Sequence, residues 1–319
     1  MIIAIAGVGA ALLVTFNTWA QNYPTKTVRI IVPYPPGGTS DILARLLSPK
    51  LNEVFGQTVV VDNRPGANGN IGADLVAKSA PDGHTMLLAD LGALTISPSI
   101  YKLPFDVIRD FAPVTMVTYS PHLLAVHPSV PVKTVKELIA LAKSKPGLLN
   151  FAVSGIGGAP HLAGIAFEAQ TGVKWTYIPY KGGADAIIGL ASGQADAIFN
   201  GMLATYPHVK SGKLKLLAVS SAKRVAAIPD VLTVAEAGLK DFETGSWQGV
   251  VAAAGTPKET IGRLNAEIIR ALSTPEMKEN LAKLGTDVYT MTSEQLGNWL
   301  KSEIEKWAKV VKAANLKLD

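Results

Sequence analysis

Two stretches of the chain set glycines where a strand hands over to a helix. In "VPYPPGGTSDILARLL", Val32 to Leu47, Pro33, Pro35 and Pro36 stiffen the approach around Tyr34, Gly37 and Gly38 loosen it, and Thr39, Ser40 and Asp41 open a helix. Glycine lets bare backbone N–H groups approach a ligand, and a helix start offers unpaired N–H groups at the positive end of its dipole. Together they form a seat for an anion. Taken alone, the stretch reads equally well as an ordinary tight turn between strand and helix. The second stretch tips the balance: "NFAVSGIGGAPHLAG" ends a strand near Ser154, passes Gly155, Gly157 and Gly158, and starts a helix at Ala159 or Pro160. Facing each other across a cleft, the two starts would hold a carboxylate with ~0.3–1 kcal/mol from each dipole and ~1.5–3 kcal/mol per charge-assisted hydrogen bond. That suffices for micromolar binding without a salt bridge.

The remaining chemistry is sparse. "NRPGANGNIGADL" is a third glycine cluster, but neither a dinucleotide G-x-G-x-x-G nor a phosphate-binding G-x-x-x-x-G-K-[ST] occurs, so Asn63 and Asn68 are read as shaping or lining the cleft wall or as plain turn residues. No G-x-S-x-G elbow or H-E-x-x-H pair exists, and His84, His122, His127, His161 and His208 lack metal-ligand spacing. His161 lies just inside the second helix with no nucleophile or carboxylate near it in sequence, which favours a helix-start role over a general base. Lys181 in "PYKGGAD" adds positive potential to the cleft or is simply solvated. Tyr180 and Trp247 stack on a ligand or serve as core aromatics, and Asp90, closing "TMLLAD", joins the candidate cleft residues.

These residues need rigid elements behind them. From Val28 onward, β-branched runs alternate with helical patterns, which predicts parallel sheets wrapped by helices. The helix after Ser40 puts Leu43, Leu47 and Leu51 on one stripe, with Ile42, Leu46 and Val54 beside it, and stops at Gly56. A second βα set begins near His122, with a capping box at Thr134 and Glu137 and a stop at Pro146-Gly147. The tail from "GVVAAAGTP" reads strand, helix, shorter helix, a strand at "DVYTM" and a long helix after Thr292. Without repeats or a floppy linker, this predicts two α/β domains joined by crossing strands: residues 21–122 with 248–319, and residues 123–247.

Bulk numbers exclude whole classes. With 319 residues, 48% hydrophobic and 17% charged, the chain is too long and apolar for a disordered tail. The net charge of +5 comes from scattered basic residues, so no nucleic-acid stripe forms and only a mild attraction for anions follows. Zero cysteines excludes disulfides, thiolate metal sites and a cysteine nucleophile. The apolar opening "MIIAIAGVGAALLVTFNTWA" predicts an export signal over residues 1–20, cleaved after Ala20, although no Lys or Arg precedes its core. A retained anchor is the alternative.

In order along the chain, "VPYPPGGTSDILAR", "VVVDNRPGANGNIGADLVAKSAPDGHTMLLA", "SGIGGAPHLAG", "IPYKGGADAIIGLASGQADAIF" and "AAAGTPKETIGRLNAEI" resemble the extracytoplasmic solute-binding receptors of tripartite tricarboxylate transporters, the Bug family. The resemblance spans essentially the whole mature chain. It implies a periplasmic, two-domain receptor of the Venus-flytrap type, similar to type II binding proteins. Such a receptor is expected to be monomeric and cofactor-free, to grip a carboxylate between Tyr34–Asp41 and Ser154–His161, and to deliver it to a membrane permease. This chain departs from the family pattern at Gly158, where a Ser or Thr hydroxyl is common, at Gly164 to Ala166, at Asp185, at Gly189 and at Asn200, where an Asp is typical. A neutral Asn200 cannot pair with an ammonium group, which points to a dicarboxylate or an aromatic carboxylate rather than an amino acid. A sensory receptor, or an enzyme acting on a carboxylate through His161, are the rival readings.

Overall fold

The structure, a computed structural model, describes residues 23–313; the expected leader over residues 1–20 lies outside them. In chain order the elements are β1 (Val28–Val32), α1 (Thr39–Phe55), β2 (Val59–Asn63), α2 (Asn70–Ala77), β3 (Thr85–Asp90), α3 (Leu91–Ile100) and β4 (Phe111–Val126). Then follow α4 (Val135–Ser144), β5 (Asn150–Val153), α5 (Ala159–Thr171), β6 (Thr176–Pro179), α6 (Gly183–Ala191), β7 (Ala197–Gly201), α7 (Met202–Lys210) and β8 (Lys215–Val219). The chain returns through β9 (Gly245–Ala253), α8 (Lys258–Ser273), α9 (Pro275–Lys283), β10 (Asp287–Val288) and α10 (Ser293–Ala313).

Helix α1 forms as its pattern requires: Leu43, Leu47, Leu51 and Phe55 recur every fourth residue and are all buried, and Gly56 ends the helix in the left-handed region with φ 61°. Its stripe packs on the β1 sheet together with Leu264, Ile268 and Leu272 of α8. Each such buried side chain stabilises the fold by about 1.5–3 kcal/mol. On α4, the Thr134 hydroxyl caps the Glu137 N–H, while the Glu137 carboxylate takes the N–H of Lys133, one residue before the cap.

The sheets are mixed rather than parallel throughout. Strands β2, β1 and β3 are parallel, and so are β6, β5 and β7, but β9 runs antiparallel to β3 and β4, and β4 runs antiparallel to β7 and β8. The reason is the chain's double crossing. Strand β4 leaves the first sheet for the second, and β9 re-enters the first sheet in the opposite sense. Within β4, Pro121 pairs with Gly245 of β9, whereas His122 pairs with Gly201 of β7. The pairing partner therefore changes between two consecutive residues. The strand expected at "DVYTM" is only two residues long, Asp287 and Val288, against β4. Around the second sheet, Phe151, Phe167, Phe199 and Phe242 form a closely packed aromatic core with Trp175.

Candidate functional site

The two glycine loops adopt one backbone course. Gly38 caps α1 at φ −80°, ψ 169°, and Gly158 caps α5 at φ −78°, ψ 166°; neither helix start carries a side-chain cap. One residue earlier, Gly37 and Gly157 hold φ 88° and 79°, the left-handed region in which a Cβ is strained. Each of these glycines donates its N–H four residues ahead, Gly37 to the Asp41 carboxylate at 2.9 Å and Gly157 to Nδ1 of His161 at 3.0 Å. The inner hydrogen bond braces each turn and leaves the first-turn N–H groups of the helix pointing outward.

Both starts open onto a single cavity of about 50 Å³, lined by Tyr34, Gly38, Thr39 and Ser40 from one side and Ser154, Gly158, Ala159 and Pro160 from the other. Asn68, Asp90, Ala93, Gly183, Asn200, Gly201, Ser246 and Gln248 complete the wall. Three further helices begin there: α3 just after Asp90, α6 at Gly183, and α7 just after Gly201. Among the described residues, no Lys, Arg or His lines the cavity, so any charge complement to an anion there falls to backbone dipoles. The lobes meet around it. The Tyr101 hydroxyl donates to the Ile156 carbonyl at 2.6 Å, and a Cβ on Gly92 would stand 3.6 Å from that of Ala159.

The polar wall is largely pre-set. The Ser40 hydroxyl donates to Gln248 at 2.6 Å, and the Asn200 amide donates to the Thr205 hydroxyl at 3.1 Å. Asn68, itself left-handed at φ 55°, has a buried side-chain amide nitrogen with no partner. Asp90 caps α3 by accepting the Gly92 N–H at 2.9 Å. Burial raises its carboxyl to about 6, against the lowering effect of hydrogen bonds from the Ser246 hydroxyl and the Gly92 and Trp247 N–H groups.

Of the expected cleft residues, the structure brings together Tyr34, Gly38, Thr39, Asn68, Asp90, Ser154, Gly158, Ala159 and Asn200. The others lie elsewhere, each for a physical reason. Asp41 is 2% exposed, and its carboxylate accepts from Gly37, Arg45 and Asn63. Burial works against its ionisation, but these hydrogen bonds outweigh it and hold the carboxyl below its usual range. The Gly37 and Gly157 N–H groups are engaged within their own loops. His161 is buried against Tyr177, with ring centroids 4.7 Å apart, and burial lowers it to about 4. Because its Nδ1 accepts a hydrogen bond, the ring proton sits on Nε2. Tyr180 and Lys181 line a neighbouring groove of about 700 Å³ that also touches Asn68. Trp247 packs against Tyr119, ring centroids 4.4 Å apart and tilted by 42°, in a groove behind the cleft, although its backbone N–H reaches Asp90.

Ser40, Ala93, Pro160, Gly183, Gly201, Ser246 and Gln248 line the cavity without having been singled out as ligand contacts. The "KGGAD" glycines carried a usable signal for Gly183, being a further glycine pair at a helix start. No comparable signal marked Ser246 and Gln248, which lie on the returning strand β9.

With this geometry in place, known proteins give the context. The TctC family, described as the tripartite tricarboxylate transporter family receptor, matches residues 43–316. The chain belongs to that family. BugT of Bordetella pertussis is 38% identical over 321 residues, covering 99% of this chain and 96% of BugT. The periplasmic binding protein BugD superposes with a TM-score of 0.89 at 35% identity, over 93% of this receptor and 100% of BugD. Rpa4515 of R. palustris, solved with adipate, gives 0.89 at 36% identity over 93% of this chain and 100% of its own. MatC of Rhodopseudomonas palustris, solved with bound malate, gives 0.86 at 32% identity over 91% and 100%. The two-domain fold of periplasmic binding proteins expected from the sequence is the fold of this receptor.

Proposed function

We propose that this receptor closes its two lobes on a small carboxylate in the periplasm and delivers it to the membrane permease of a tripartite transporter. One observation carries the reading: two helix starts with matched glycine caps, one in each lobe, open onto the same cavity, which no Lys, Arg or His among the described residues lines. First-turn N–H groups of α1 and α5, with the Thr39 hydroxyl, supply the donors, and the dipoles supply the charge complement. The lobes are residues 21–122 with 248–319 and residues 123–247, and they hinge near residues 121–126, where β4 changes partner after Pro121, and near residues 246–251 on β9. The receptor is exported by its leader, acts as a monomer, and needs neither cofactor nor nucleic acid. The adipate and malate of the two R. palustris proteins support a dicarboxylate, with an aromatic acid as the second class.

A thermal-shift screen of the receptor against adipate, malate, benzoate and glutamate tests this. A ligand at 100 times its Kd adds about 2.7 kcal/mol and raises the midpoint visibly. No shift with any carboxylate at any pH would sink the proposal. Replacing Gly38 with Val, whose Cβ meets only ordinary contacts at 3.8 Å or more, should weaken the seat without unfolding the lobe.

A further inference from the structure

Asp90 is the one ionised side chain among the described residues lining the cleft, and it shares a cavity of about 50 Å³ with the proposed anion seat. It is also the end of a buried polar chain. Ser246, which donates to Asp90, stands 3.1 Å from Nε2 of His122, and Nδ1 of His122 stands 3.1 Å from the Thr244 hydroxyl. His122 is fully buried, and desolvation lowers it to about 3, so its ring is neutral and holds a single proton. While Asp90 is ionised, the order is Thr244 to His122, His122 to Ser246, and Ser246 to Asp90. A protonated Asp90 keeps an oxygen that accepts from Ser246, so the chain runs in the same order while the one new O–H is left for the cleft.

We propose that Asp90 takes up one proton from solvent when a carboxylate enters the cleft, so that the receptor captures the acid together with a proton. This rests on the reading of the cleft as a carboxylate seat. Two carboxylates in one small cavity repel, and no side-chain cation there offsets them. Protonation removes the repulsion and turns Asp90 into a donor toward an acceptor on the ligand. A ligand ammonium is the poorer match. It brings three donors, whereas the Asp90 carboxylate already accepts three of its roughly four hydrogen bonds. Asp90 thereby favours acids with a distal acceptor over amino acids.

The other titratable groups around Asp90 do not supply the charge. The Tyr34 phenol is neutral, raised by burial and by Asp90 itself. His161 accepts from Gly157, Asp41 is paired with Arg45, and α3 and β9 carry no ionisable residue. Glu243, Glu303 and Lys306 lie in the groove behind Gly92 and Trp247, with Glu303 paired to Lys306 at 2.9 Å.

Calorimetric titration of the receptor with adipate, malate, benzoate and glutamate, in phosphate and Tris buffers from pH 6.0 to 8.5, tests this. The expected result is uptake of close to one proton near neutral pH, with Kd rising about tenfold per pH unit above 6 until the liganded Asp90 titrates. In Asp90→Asn, whose amide supplies the same donor without a charge, affinity should no longer follow pH and proton uptake should vanish. Binding with a flat pH profile and no buffer dependence would overturn the inference while leaving carboxylate capture standing. So would a loss of tenfold or more at every pH in Asp90→Asn, which marks an ionised acceptor for a ligand donor. Should Asp90→Asn fail to fold, the buffer dependence of the wild-type receptor decides alone. Failure of all four acids to bind would remove the seat and this inference together.

Discussion

Residues 37–41 and residues 157–161 run the same backbone course with different side chains. Each has a left-handed glycine, a glycine cap, two first-turn residues and a side chain that turns back to accept the first glycine's N–H. In the first loop the acceptor is an ionised Asp41, backed by Arg45 and Asn63, and the first-turn residues are Thr39 and Ser40. In the second the acceptor is a neutral His161 packed on Tyr177, and the first-turn residues are Ala159 and Pro160. The first loop therefore brings hydroxyls and charge-assisted bracing. The second brings an apolar wall, one fewer N–H, and bracing that depends on the protonation state of a ring. The seat is symmetric in backbone and asymmetric in chemistry.

The largest expected effect is steric and distinguishes the loops by what surrounds them. A Cβ at Gly157 would lie 2.9 Å from the Cδ1 of Ile100 in the opposite lobe, whereas one at Gly37 would meet only the Ala184 Cβ at 3.7 Å. Both substitutions incur the left-handed strain of about 1–2 kcal/mol. Gly157→Val adds an overpacking cost of about 1–3 kcal/mol. Urea denaturation should show Gly157→Val losing roughly 2–5 kcal/mol and Gly37→Val roughly 1–2 kcal/mol. Equal losses, or the larger loss at Gly37, would show that the two loops are not supported in the way the geometry describes.

Much of this symmetry is written in the sequence at one spacing, Gly37 to Asp41 and Gly157 to His161, and aligning the two stretches brings it out. The helix starts at Thr39 and Ala159 follow from glycine punctuation and apolar period, which are local signals. What each side chain does within the loop is less legible. Asp41 and Gly37 look like ligand contacts until their hydrogen bond to each other is seen, because a residue's type does not reveal which partner reaches it first. Ser246 and Gln248 arrive from β9, far along the chain, and only the double crossing of β4 and β9 carries them to α1. Helices α3 and α7 were equally hard to read; α3 is apolar almost all round, and both contain a proline.

A middle-sized effect separates the loops by pH. His161 is lowered by burial to about 4, below its unfolded value near 6.5, so its contribution to stability is full above that value and is lost as pH falls toward 4. Protonation also removes the acceptor for the Gly157 N–H. Asp41 is lowered instead by its hydrogen bonds against the pull of burial, so its contribution holds until pH falls below the ordinary carboxylate range. Denaturation at pH 7.0 and 4.5 should show wild-type losing about 2–3 kcal/mol more than His161→Gln across that interval. His122, lowered to about 3, titrates in both proteins and cancels from the difference. Asp41→Asn should leave the slope in that interval unchanged, and the contrast fails if Asp41→Asn flattens it as much as His161→Gln does.

The smallest effect concerns the missing donor. Pro160 lines the cavity at the second position of α5, where Ser40 in the matching loop carries an N–H. Pro160→Ala restores that N–H at the positive end of the helix, which should strengthen carboxylate binding by about 0.3–1 kcal/mol, roughly a two- to fivefold fall in Kd. The same change frees the unfolded chain and should lower stability by about 0.4–1 kcal/mol. Tighter binding in a less stable protein is a combination that general loosening of the loop does not produce, because loosening weakens both together. Calorimetry beside urea denaturation reads the two signs. Weaker binding in Pro160→Ala would instead mean that the second loop contributes shape alone, and that the anion is held from the α1 side.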